Sequence, residues 1–335
     1  MSINEEPAAC TIQELPDKEL MLKMYRNMNL GRRFEEHVQW LFSKGLVHGT
    51  THLGIGEEAT AAGSIAALKP RDYVFGTHRG HSQAIAKGIE VRLMMAEILA
   101  RETGVCKGKG GSMHIADPDI FYFGADGILG ASAVMCNGTA LAIKKRGEKD
   151  RISTVFFGDG TSNEGATYEA LNLASVWELP VLFCCVNNTY GMSTHLSKAT
   201  KSMDIAARAA LFEMASATVD GNDVAAVYNA ASQARSYITG QGKPYLLVLN
   251  TYRTCGHSKS DKNVYRKQSE IAEWKNACPI ARFEKKLLNA SYSRYDIEEL
   301  ESKARAIIND AVAFADRSKY PEFSVLDDMV YSERF

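Results

Sequence analysis

The stretch GDGTSNEG, residues 158–165, follows the apolar run Thr154-Val155-Phe156-Phe157 and precedes a segment with helical spacing. A strand that ends in Gly-x-Gly and runs into a helix offers backbone N–H groups and a positive helix end to a phosphate. Two features set this turn apart from a dinucleotide fingerprint. Its third glycine, Gly165, comes after four residues instead of two, and an acid, Asp159, stands between the first two glycines. A carboxylate against a diphosphate is repelled by several kcal/mol, on the order of what two like charges cost at ~4 Å. A divalent cation between them reverses the sign. Magnesium takes oxygen ligands from one or two side chains together with phosphate and water, so a second oxygen ligand should lie nearby. The next apolar run, 181–186, ends in Asn187-Asn188-Thr189-Tyr190-Gly191. Neighbouring parallel strands end at one sheet edge, where the Asn188 side chain can meet Asp159 across one ion.

Outward from this pair the pattern alternates. Strands are expected at 152–157, 181–186 and 245–251, with helices at 164–177, 204–214 and 223–239, which implies an α/β fold with a parallel sheet covered by helices. Upstream, residues from about 20 to 42 read as one long helix or two, and 57–67 and 90–103 as helices. Residues 104–138 are Gly-rich and aperiodic, and read as a loop. Two further helices are expected over 269–289 and 296–317. The organisation is therefore a helical arm over 1–45, an α/β domain over 46–265 and a helical extension over 266–335.

Composition narrows the chemistry. The 335 residues are 45% hydrophobic, enough to bury a full core, and the net charge of −1 leaves no basic stripe for nucleic acid or an anionic membrane. The opening MSINEEPAAC lacks a signal-peptide apolar core, and no stretch approaches the ~20 apolar residues of a membrane span. Seven scattered cysteines without a Cys-x-x-Cys pair suit buried thiols in the cytoplasm. KGKGGS at 107–112 lacks the Gly-x-x-x-x-Gly-Lys-Ser/Thr of a phosphate loop and reads as a flexible loop near the site entrance.

Gly-Asp-Gly followed some thirty residues later by Asn-Asn resembles the thiamine diphosphate enzymes. Four more segments occur in order: THLGIGEEA (51–59), THRGH (77–81), GKGGSMH (108–114) and YRTCGHS (252–258). Together they resemble the alpha subunit of the two-chain dehydrogenase component that acts on pyruvate, branched-chain 2-oxo acids or acetoin. The resemblance, spanning about residues 20 to 320, implies the thiamine diphosphate-binding fold and the following site. Asp159, Asn188 and the Tyr190 carbonyl would hold Mg2+; Gly160 and Thr161 would offer N–H groups to the diphosphate, with Arg79 and His78 beside it. Gly127 and Leu129 would meet the aminopyrimidine end. His257 would touch the diphosphate and guide the acyl acceptor, and His52 would face the substrate. The resemblance also implies a beta subunit that supplies the activating glutamate, an α2β2 assembly, and transfer of the acyl group to the lipoyl arm of an acyltransferase. Ser258 matches a serine that is phosphorylated in some animal relatives. His81 could serve structure or function, while His114 is expected to be structural. A two-chain transketolase-like or carboligating enzyme is the alternative within the class. A nicotinamide dehydrogenase would need a ribose-binding acid about twenty residues past the turn, where Glu178 precedes Leu179-Pro180 instead of ending a strand. A scaffold subunit without activity is countered by the intact Asp159, Asn188 and His257.

Overall fold

The computed structural model describes residues 17–124 and 126–326. Residues 1–16, with the opening segment and Cys10, and residues 327–335 of the C-terminal extension lie outside the described residues.

The expected apolar runs form the middle of a five-stranded, wholly parallel sheet. Its strands are β1 (Tyr73–Phe75), β2 (Ser153–Gly158), β3 (Val181–Asn187), β6 (Ala215–Asp220) and β7 (Tyr245–Asn250), in the order β1-β2-β3-β7-β6. A two-stranded hairpin of β4 (Tyr190–Gly191) and β5 (Thr194–His195) lies between β3 and β6 in the chain. Every residue of β3 is buried, as expected for a parallel strand covered on both faces. Side chains alternate across the sheet: Phe156, Leu182, Cys184 and Leu247 enter one apolar cluster, while Val155, Phe157, Phe183, Cys185 and Val248 enter another. Full burial of each Phe or Leu contributes about 1.5–3 kcal/mol. The adjacent Cys184 and Cys185 thus face opposite layers, and all six described cysteines are free thiols.

The helices are α1 (Lys18–Ser43), α2 (Glu58–Ala66), α3 (His81–Lys87), α4 (Val91–Ile98), α5 (Ala131–Arg146), α6 (Gly165–Val176), α7 (Leu196–Ala199), α8 (Val224–Gln241), α9 (Gln268–Asn276), α10 (Pro279–Asn289) and α11 (Arg294–Arg317). On one face of the sheet the cluster is closed by residues of α1, α4, α8 and α11, and on the other by α5 and α6. Local chemistry sets several ends. Asp17 caps α1 by accepting from Leu20 N at 2.6 Å, and Asp223 caps α8 by accepting from Ala225 N and Ala226 N. None of the helices among the described residues is long and apolar enough to cross a membrane.

Several expectations need correction. The loop expected over 104–138 ends at Gly130, and α5 begins at Ala131. Its buried side is made of small residues such as Ala133, Cys136 and Ala140, which leave no apolar stripe to read. The helix expected at 204–214 is a 3-10 stretch over Ala206–Phe212, followed by the unanticipated edge strand β6. β1, three residues long, was also hidden in a Gly- and His-rich region. The helix over 269–289 is broken at Cys278, because Pro279 supplies the first position of a new helix and cannot continue the old one.

Candidate active site

Register brings the site together at the carboxyl edge of the sheet. Gly158 pairs with Val186 and Asn187 with Asn250, so the residues that follow β2, β3 and β7 emerge side by side. Asp159 is 2% exposed and accepts from Asn188 N at 3.4 Å through Oδ1, while its buried Oδ2 has no partner. Burial, with the nearby Glu57 charge adding, pushes this carboxyl up to about 6. Asn188 donates from Nδ2 to Glu57 Oε1 at 2.7 Å and accepts from Tyr190 N at 3.2 Å through Oδ1. Glu57 is itself raised above the ordinary carboxylate range, chiefly by burial. The turn is braced from behind: Ser162 Oγ donates to Asp159 O at 2.6 Å, and Arg208 Nη1 donates to Ser162 O and Oγ at 2.6 and 2.8 Å. A Cβ on Gly160 would stand 3.2 Å from Gly191 Cα, so the two turns approach as closely as glycine permits.

The segment after β7 lies against the segment before α2. Thr254 donates to Ile55 O from both N and Oγ1, at 2.9 and 3.1 Å. Gly56 has a φ of +106°, and a Cβ there would stand 2.4 Å from Tyr252 O. This contact unites the 51–59 and 252–258 motifs and places three imidazoles together. Ring centroids of His52 and His78 are 4.7 Å apart, and those of His52 and His257 5.0 Å. Arg79, 7% exposed, donates from Nη1 to Leu53 O at 3.0 Å and from Nη2 to His257 Nδ1 at 2.9 Å. Arg253 is almost wholly buried and donates to Cys255 O and to the Tyr265 hydroxyl.

Burial first, and then the Arg79 charge, lower His52 to about 4, His257 to about 3 and His78 to about 2. Arg79 is lowered to about 10 by its own burial and by Arg253. The rings are therefore neutral near pH 7. Arginine only donates, so His257 Nδ1 is the acceptor and the ring proton sits on Nε2. The ligand atoms of the three histidines lie within 4.8 Å of one another, yet two guanidiniums act on every ring and one of them occupies His257 Nδ1. That surrounding favours an anion over a metal ion.

A cleft at the same edge is lined by Thr77, His78, Ile128, Leu129, Gly158 and Thr161 among others. Leu129 is 43% exposed, and a Cβ on the neighbouring Gly127 would stand 3.3 Å from His114 Cε1. The His257 loop is held by Asp261, which accepts from His257 N and from the Tyr265 hydroxyl, each at 2.7 Å. Behind it, Glu270 accepts from the hydroxyls of Tyr190 and Tyr252 at 3.3 and 2.8 Å.

His81 is fully buried between Glu35 Oε2 and Ser112 Oγ, 3.0 Å from each, and ties the Gly-rich loop to α1. That loop is not the flexible segment its composition suggests. The N–H groups of Cys106 and Gly108 donate to Glu97 Oε2 at 2.8 and 2.9 Å, and those of Gly110 and Gly111 to Oε1 at 2.7 and 3.0 Å. A phosphate-loop lookalike thus cradles the chain's own carboxylate. Glu57, Glu97, Arg208 and Arg253 were given no role by sequence reasoning. Glu57 and Arg253 stood inside the quoted motifs, but their burial and their partners come from packing, which the sequence does not show.

The residues present fit a divalent cation and a diphosphate. A buried, unpartnered carboxylate oxygen is costly without a cation. The side-chain oxygens of Asp159 and Asn188, residues joined by the Asn188 N–H on Asp159 Oδ1, are hard donors that suit Mg2+ over softer metals.

A family model described as the dehydrogenase E1 component matches residues 26–324. The chain is 42% identical over 314 residues to the alpha subunit of acetoin:2,6-dichlorophenolindophenol oxidoreductase of Bacillus subtilis, covering 94% of each chain. It is 38% identical over 307 residues to the pyruvate dehydrogenase E1 component subunit alpha of Zymomonas mobilis, covering 91% of this chain and 86% of that one. The corresponding subunit of Rhizobium meliloti is 38% identical over 321 residues, with 95% and 92% covered.

Proposed function

The chain belongs to the dehydrogenase E1 component family, and from that premise we propose how its residues carry the activity. It is the alpha subunit of a thiamine diphosphate-dependent dehydrogenase that decarboxylates a 2-oxo acid such as pyruvate, or cleaves acetoin. When bound, the cofactor supplies a carbon that adds to the substrate carbonyl and stores the electron pair released as the carbon–carbon bond breaks.

The protein's own residues bind, orient and handle protons. Asp159 Oδ2, the Asn188 side-chain oxygen and the Tyr190 carbonyl hold Mg2+ against the diphosphate. Gly160 and Thr161 offer it backbone N–H groups. Arg79 contributes a fixed positive fork, Arg253 adds a second buried positive charge, and His78 lies beside them. Gly127 and Leu129 meet the aminopyrimidine end. His257 presents Nε2–H as a hydrogen-bond donor, while neutral His52 faces the substrate and can accept a proton. The observation that carries this reading is the buried Asp159 Oδ2 without a partner, beside Asn188 at one strand edge.

The alpha-subunit names of the relatives imply a beta subunit. We place the activating glutamate in that subunit, the pair in an α2β2 tetramer, and the acyl acceptor on the lipoyl arm of an acyltransferase. A cytoplasmic setting belongs to the same reading, since all six described cysteines are free thiols.

Calorimetry tests the metal site. Asp159→Ala should abolish Mg2+-dependent binding of thiamine diphosphate while the fold persists; undiminished affinity would remove the metal role. Assayed with pyruvate, branched 2-oxo acids and acetoin, the chain should turn over substrate only after its beta subunit is added. The substrate preferred by the pair fixes the branch.

A further inference from the structure

Asn188 can serve a cation only if its amide oxygen, not its nitrogen, points to the metal side. Two neighbours decide that orientation. Glu57 Oε1 accepts from Nδ2 at 2.7 Å, and a carboxyl oxygen without a proton can do so whether or not the other oxygen carries one. At the other end Tyr190 N only donates, so at 3.2 Å it selects Oδ1. Oδ1 keeps a second lone pair for a cation. Both side chains are at least nine-tenths buried, so water offers no easy replacement for either partner. Glu57 stands at the N-cap of α2, 131 residues from Asn188 in the chain, and its backbone is fixed by Glu57 N donating to Gly54 O at 3.0 Å and by Thr60 Oγ1 donating to Glu57 O at 2.6 Å.

We propose that Glu57 is a positioning residue for the metal site, holding the Asn188 amide so that its oxygen joins Asp159 on the cation that binds the diphosphate. The inference rests on the reading of Asp159 and Asn188 as metal ligands. The role assigned to Glu57 is orientation: a group that holds a ligand in place sets metal affinity through that hydrogen bond. The hydrogen bond, not the charge, is what the metal site needs.

Mn2+ replaces Mg2+ as a probe read by electron paramagnetic resonance, with the complex of the full chain and its beta subunit at saturating thiamine diphosphate. Glu57→Met keeps the bulk and removes the acceptor, and should weaken Mn2+ binding by about 10- to 100-fold. Glu57→Gln keeps an acceptor oxygen without the charge and should bind Mn2+ as the unsubstituted complex does. Should Glu57→Met fail to fold, Glu57→Ala removes the same acceptor without a bulky apolar group. Unchanged Mn2+ affinity in the acceptor-less variant would overturn the proposal, as would an equal loss in Glu57→Gln, which would assign the effect to charge. Asp159→Ala runs alongside: if it keeps Mn2+, the metal reading itself falls, whereas its loss with an unaffected Glu57→Met sinks only the positioning role.

Discussion

At the scale of residues, the site is governed by which charges the fold keeps out of water. Burial and Arg79 lower His52, His257 and His78 to about 4, 3 and 2 from an ordinary 6.5. A histidine so lowered binds fewer protons folded than unfolded between its folded value and 6.5, so its share of stability is complete above 6.5 and is lost as pH falls. Asp159, raised to about 6, and Glu57, also raised, act in the opposite direction over the window between their unfolded and folded values. The share that each histidine adds to the melting temperature of the chain free of cofactor is lost between about pH 7 and about pH 5, so His78→Gln should lose less stability over that range than the unsubstituted chain does. Identical pH dependence in His78→Gln and the unsubstituted chain would mean that this ring is not held neutral by the fold. Asp159 and Asn188 could be named from sequence because each follows an apolar strand that is legible alone. Glu57 could not, since its partner is 131 residues away and only the packing of α2 against the strand ends brings them together.

At the scale of elements, the Gly-rich loop shows how one composition can serve opposite ends. Four N–H groups converge on the fully buried Glu97. Gly108 and Gly111 have φ of +74° and +59°, and a Cβ on Gly104 would stand 2.3 Å from Glu97 Oε2. Through Ser112 and His81 the loop then reaches Glu35, which accepts from Gly54 N at 3.0 Å. Glu97→Gln replaces one charged acceptor by a donor facing N–H groups. It should cost at least about 3 kcal/mol in chemical denaturation and speed proteolysis within residues 104–114. A loss below about 1 kcal/mol would mean that the loop holds itself. The signal for this nest was absent from the sequence because its partner lies on a helix and its shape depends on backbone angles. α5 escaped for a different reason: its buried side is chosen for small size, not hydrophobicity.

At the scale of the whole molecule, burial is uneven along the candidate site. Asp159, Asn188, Arg79 and Arg253 are buried within it, whereas Ile128 and Leu129, on the cleft at the same edge, are 73% and 43% exposed. On the function proposed above, a cofactor held at its diphosphate end by this chain would have its other end on a surface that this chain leaves exposed. The expected absence of turnover by the chain alone belongs to this scale. Addition of the beta subunit should both restore turnover and shield the 127–135 segment from proteolysis, and robust activity from the isolated chain would contradict a divided site.

By itself the sequence determined the middle of the sheet and brought Asp159 and Asn188 forward as candidate metal ligands. Long apolar strands, the polar residues at their ends and a carboxylate between two glycines of a turn are properties of contiguous chain. Only the tertiary structure decided which orientation the Asn188 amide takes, why the three histidines are neutral, and what the Gly-rich loop encloses. Those outcomes depend on burial and on partners from remote segments, and dielectric and hydrogen-bond complementarity exist only once the elements have packed.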